Sequence, residues 1–120
     1  MPFSVDDLAR VGDALRAAGQ AELMPRFNRL APDEIMRKTS AFDVVTLSDE
    51  RAEAAITSDL ARQFPGALMV EEEAAGRDPA LPPRLGHAEL AFVIDPLDGT
   101  RNFANGLPMF GVMAGSLVAT

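Results

Sequence analysis

The stretch "AFVIDPLDGTRNF", Ala91 to Phe103, decides how this chain is read. Four apolar residues suited to a buried strand run directly into Asp95, Pro96, Asp98 and Gly99. Met singly, Asp-Pro and Asp-Gly are ordinary turn pairs. In the hexapeptide Asp95 to Thr100, however, each residue has a separate physical use. Pro96 fixes φ and has no N–H, which holds Asp95 extended and frees the Leu97 carbonyl to point away from a strand ladder. Asp98 then stands beside Asp95. Gly99 takes backbone angles that other residues resist, and it admits a ligand close to the main chain. Thr100 adds a hydroxyl, and the N–H groups of Gly99, Thr100 and Arg101 are placed where they could form an anion nest at the head of a following helix. The turn is therefore expected to hold a divalent metal beside a phosphate.

Other segments support the same layout. A second apolar run, "ALMV" at Ala67 to Val70, predicts a short strand ending in Glu71, Glu72 and Glu73. If it neighbours the strand "LAFVI" and ends at the same sheet edge, the acids gather. Such a cluster is repulsive unless cations or protons neutralise it. Oxygen donors of this kind suit hard divalent ions, with magnesium the natural candidate.

Ser4, Asp6 and Asp7 open a helix in which Leu8, Val11, Leu15 and Ala18 share a face. Gly19 either ends that helix or is tolerated in it, and Pro25 kinks or stops any continuation. "EIMRKTS", Glu34 to Ser40, predicts an edge strand leading into "AFDVVTLSD", with Ser48 as the N-cap of the next helix. In that helix Ala52, Ile56, Leu60 and Phe64 recur every four residues until Pro65-Gly66 stops it. Asp49 by position alone is a first-turn acid. Residues 74–89 read as an exposed linker that holds His87, and "FGVMAGSLVAT" as a further strand. No internal repeat is present.

The chain has 120 residues, 48% hydrophobic and 24% charged, as expected for an ordinary globular protein. A formal charge of −7 argues against nucleic acid or anionic membrane as a partner. Any anionic ligand would need bound cations to reverse the local field. Without cysteine, thiolate chemistry and disulfides are excluded. No secretory signal or membrane span is expected, and a cytoplasmic setting fits.

On these residues the chain resembles the inositol monophosphatase family of magnesium-dependent, lithium-sensitive phosphatases. "DVVTLSD", Asp43 to Asp49, resembles its D-x-V-T-x-x-D segment, and Lys38, eleven residues before Asp49, is in register with a lysine near its active site. "VEEEA" resembles its G-E-E segment, with Glu71 where the family has glycine. "VIDPLDGTRNFANGLPMFGV" resembles its D-P-I/L-D-G-T-x-N-F signature and the strand that follows.

The resemblance implies an α/β (α+β layered) fold, the N-terminal half of a sugar phosphatase with a mostly antiparallel sheet flanked by helices. It also implies a single domain over 1–120, truncated before the C-terminal half that carries W-D-x-A-A-G and another metal-binding Asp. Glu72, Asp95 and the Leu97 carbonyl would bind a first Mg²⁺, and Asp95 with Asp98 a second. Two or three ions are expected, with Mn²⁺ as a substitute and Li⁺ as an inhibitor. Asp49 and Thr100 would position the attacking water, with Lys38 near them, and Gly99 and Thr100 would receive the phosphate. Two Mg²⁺ against three carboxylates leave the site net positive for a phosphate dianion.

The implied activity is hydrolysis of a small polyol or sugar phosphate, a phosphoric monoester hydrolase of the inositol-phosphate phosphatase type. The alternatives are a bisphosphate nucleotidase, histidinol-phosphate phosphatase or fructose bisphosphatase of the same superfamily, or a catalytically silent metal-binding fragment. Weak second-metal binding and little activity are expected of the 120-residue chain alone. A homodimer is allowed for.

Overall fold

In the computed structural model the described residues are 3–27, 41–71 and 88–118, with side chains described in all of these except 41–46. Ser4 starts helix α1, Val5–Ala18, through a reciprocal cap: the Asp7 N–H donates to Ser4 Oγ at 3.1 Å, and the Ser4 N–H to Asp7 Oδ2 at 2.9 Å. Two N–H groups with no helical acceptor are satisfied this way. The expected face is only partly right. Val11, Ala14 and Ala18 are buried and Leu15 lies beside them, but Leu8 is 56% exposed. Small alanines at the contact let α1 approach its neighbour closely, and Leu8 falls on the flank.

The Ser4 backbone N–H, opposed by burial and aided by the Ser4 hydroxyl and the Arg10 guanidinium, holds the Asp7 carboxyl below its usual 3.8. A depressed folded value contributes stability that is present above the unfolded value and lost as pH falls through the folded one. Asp7→Asn is therefore expected to lose less stability than the native chain on acidification from about pH 5 to about pH 2, measured by urea denaturation.

Gly19 is tolerated. The helix runs on through a π turn, Gly19–Leu23, and a 3₁₀ turn, Met24–Arg26, which contains Pro25. A Cβ at residue 19 would sit 3.5 Å from Val112 Cγ2, an ordinary contact, so the last strand packs beside this turn without needing glycine there.

Helix α2 spans Ala41–Gln63, so the stretch read as leading out of a strand is helical. Ser48 is not its N-cap; it lies well inside the helix and is fully buried. The reason lies in packing. Ser48 is the first member of the described four-residue stripe that continues through Ala52, Ile56 and Leu60, all fully buried. A stripe seated on a sheet outweighs the weak preference of Val44 and Val45 for strands. Asp49 is likewise no first-turn acid, being eight residues beyond Ala41.

After α2 the chain turns at Gly66, with φ at +86°, into strand β1, Leu68–Glu71. Strand β2, Leu90–Asp98, lies between β1 and strand β3, Gly111–Val118. The sheet is mixed: β1 and β2 are parallel, β2 and β3 antiparallel. The longer pairing, β2 with β3, is antiparallel, as in the mostly antiparallel sheet expected, and the shorter parallel pair is what sends the ends of β1 and β2 to one edge.

Helices α1 and α2 cover one face of the sheet. Val11, Ala14, Ala18, Ile56, Leu60, Phe92 and Ile94 form the main core. At its far end the rings of Phe3, Phe64 and Phe92 stand 5.3 to 6.2 Å apart. Among the described residues no helix is long and apolar enough to cross a membrane.

Candidate active site

The acidic turn lies within β2 itself. Asp95 pairs with Met113 and Asp98 with Gly111, so three steps on β2 match two on β3. One extra residue is accommodated across Pro96-Leu97, a β-bulge. Pro96 suits this place because it has no N–H to give a ladder. In a regular strand, residues three apart face opposite sides. The bulge cancels that alternation: Met113 and Gly111 share a face of β3, and so Asp95 and Asp98 share a face of β2.

The bulge also buries both Pro96 and Leu97. The Leu97 side chain enters a second core with Leu23, Ala52 and Phe103, packed by Phe27 and Phe110. Phe27, Phe103 and Phe110 form a ring cluster with centroids 4.9 to 5.7 Å apart. The turn thus has a hydrophobic anchor of its own, which the sequence pattern did not disclose because its members are far apart in the chain.

Beside the bulge, at the carboxyl ends of β1 and β2, lies a cleft of about 80 Å³ lined by Asp49, Glu71, Ile94, Asp95, Pro96, Leu97 and Thr100. Open α/β sheets bind ligands at such strand ends. Register explains the meeting: Glu71 pairs with Ile94, and Asp95 is the next residue of β2. Asp49 reaches the cleft from α2, with its Oδ1 atom buried.

The structure therefore brings together Asp49, Asp95, Leu97 and Thr100. Asp98 is exposed and does not line this cleft. Glu71, which stands where the family has glycine and so was not read as a ligand, also lines it; the signal for it was its place at the head of the acid triplet that ends the strand. Lys38, Glu72, Glu73 and His87 lie outside the described residues. Among the described residues no three acidic or imidazole side chains converge closely enough to hold an ion. The donors present are all oxygen, the set that hard divalent cations take.

Gly99 follows the bulge with φ at +86° and precedes the short helix α3, Thr100–Ala104. On the side where a Cβ would stand, it is approached closely by the chain itself. A Cβ at residue 99 would lie 2.9 Å from the Met109 carbonyl oxygen and 3.2 Å from Phe110 Cα. That carbonyl accepts a 2.8 Å hydrogen bond from Asn102 Nδ2.

The fold is of the α/β class, a mixed sheet with helices on one face and an oxygen-lined cleft beside an acidic bulge at its strand ends. The profile of the inositol monophosphatase family matches residues 5–120, and the chain belongs to that family. It is 31% identical over 120 residues to inositol monophosphatase 1 of Sus scrofa, covering 98% of this chain and 38% of the relative. It is 38% identical over 84 residues to inositol monophosphatase 2 of Rattus norvegicus, covering 70% of this chain and 28% of the relative. Among solved structures, the Thermotoga maritima IMPase superposes with a TM-score of 0.66 at 27% identity, over 95% of this chain and 40% of that one. The chain thus spans well under half the length of the relatives it matches.

Proposed function

We propose that the chain carries part of the active site of a magnesium-dependent phosphomonoesterase that hydrolyses a small polyol or sugar phosphate in a cytoplasmic setting. The observation that supports this is the oxygen-lined cleft at the ends of β1 and β2, where Asp49, Glu71, Asp95 and Thr100 meet. Bound Mg²⁺ would lower the pKa of a water and stabilise the leaving alkoxide. Asp95 and the Leu97 carbonyl, with Glu72, would hold it, Asp98 would contribute to a second ion, and Mn²⁺ would serve in its place. Li⁺ would inhibit. Asp49 and Thr100 would orient the attacking water, and Thr100 with the Gly99 backbone would receive the phosphate. Lys38 would add positive charge near it.

A Mn²⁺ titration followed by loss of the free-ion spin-resonance signal tests the reading. Asp95→Asn is expected to weaken Mn²⁺ binding by at least about tenfold, since it removes a ligand where even supporting residues are worth about 10- to 100-fold. Equal binding by the native and Asp95→Asn chains would remove Asp95 from the site. Because the chain spans 38% of its relative, slow phosphate release from a panel of phosphate esters is expected of it alone.

A further inference from the structure

We propose that Asn102 is a positioning residue, which holds the Met109 carbonyl over Gly99 and thereby fixes the backbone between Asp98 and Thr100. Its contacts bracket the segment that returns from α3 to β3. The Asn102 backbone carbonyl accepts from the Leu107 N–H at 2.8 Å, and its side-chain amide donates to the Met109 carbonyl at 2.8 Å. Between them, the Met109 N–H closes onto the Leu107 carbonyl at 2.8 Å.

Little else holds Met109. Its side chain is 72% exposed, so apolar packing does not fix its carbonyl. Pro108 before it has no N–H to give. Phe110 after it is tied into the ring cluster with Phe27 and Phe103. The Asn102 amide and the Phe110 ring therefore set where the Met109 carbonyl stands, at 2.9 Å from the position of a Cβ on residue 99.

Gly99 has no side chain to restrain it, and glycine moves readily between left- and right-handed angles. The left-handed turn is needed, because the Gly99 carbonyl takes the first bond of α3 from the Phe103 N–H at 3.0 Å. Thr100 then begins the helix and lines the cleft beside Asp49 and Asp95. A peptide rotation at Gly99 would turn Asp98 and Thr100 together. Asn102 opposes that rotation by holding the Met109 carbonyl in the space above Gly99, and it is not among the residues lining the cleft.

The consequence for metal binding rests on the function proposed above; the clamp itself does not. A double-substitution cycle in urea tests the clamp. Without the Asn102 amide the Met109 carbonyl is free to retreat, so the midpoint shift caused by Gly99→Ala is expected to fall by up to about half in the Asn102→Leu background, the left-handed backbone cost remaining. Equal shifts in both backgrounds would overturn the proposal.

Mn²⁺ titration tests the positioning role. Asn102→Leu is expected to weaken binding about tenfold, in the range found for residues that support metal ligands. Asn102→Gln, which keeps the donor on a half-exposed side chain, is expected to recover much of the loss. Native affinity in Asn102→Leu would overturn the positioning role. If the native chain binds no Mn²⁺, the metal reading fails, and the urea cycle alone decides the clamp.

Discussion

Gly99→Ala is expected to cost about 2–4 kcal/mol of folding free energy, combining a left-handed backbone at about 1–2 kcal/mol with steric displacement of a fixed carbonyl. The two parts separate experimentally because Gly66 offers a control. Gly66 and Gly99 have the same φ of +86°, but a Cβ on Gly66 would meet nothing within 4 Å, whereas one on Gly99 would meet the Met109 oxygen at 2.9 Å. Gly66→Ala should therefore show only the backbone cost, about 1–2 kcal/mol. Gly99→Asn should recover less than half of the Gly99→Ala loss, since asparagine tolerates the angle but keeps the Cβ. Urea denaturation of the three variants checks this. Equal costs for Gly66→Ala and Gly99→Ala would show that the Met109 carbonyl exerts no steric pressure on the turn.

Phe92→Ala is expected to be more damaging, at about 3–5 kcal/mol, from lost burial and the cavity left behind. Phe92 is fully buried at the centre of β2, between Met69 on β1 and Ser116 on β3. Its ring also meets Phe64 at 5.3 Å and Phe3 at 6.2 Å, tying the residues just before α1 and just after α2 to the sheet. Against a typical total of about 5–15 kcal/mol, such a loss removes a large fraction of the stability. The neighbour Val93 faces the other side of the sheet and is only partly buried, so Val93→Ala should cost less than about 1.5 kcal/mol. Circular dichroism on heating distinguishes the two. Comparable midpoints would mean that the helix-covered face is not where the stability lies.

How much of this was legible depends on the range of the interaction. The α1 cap involves residues three apart, and Ser4 with Asp7 announces it without any fold. The stop at Pro65-Gly66 and the strands ending in acids are equally local. Ser48 was misread because serine before Asp and Glu imitates a cap, whereas its actual state depends on a sheet built from the strands at 68–71, 90–98 and 111–118. No local pattern reports that sheet. Glu71 was undervalued for the same reason: its neighbour in the cleft, Asp95, is reached only through the parallel pairing of β1 with β2.

By itself, the sequence determined the family, the oxygen-donor character of the site and the presence of a constrained turn at Asp95 to Thr100. Those properties belong to residue types and spacing, which survive any arrangement of the rest of the chain. Only the tertiary structure decided that the turn is a bulge inside β2, that Asp95 and Asp98 share a face, and that the space above Gly99 belongs to Met109. Each of these follows from the register between strands or from backbone segments ten residues apart. Pairing and packing settle such relations, and no single segment carries them.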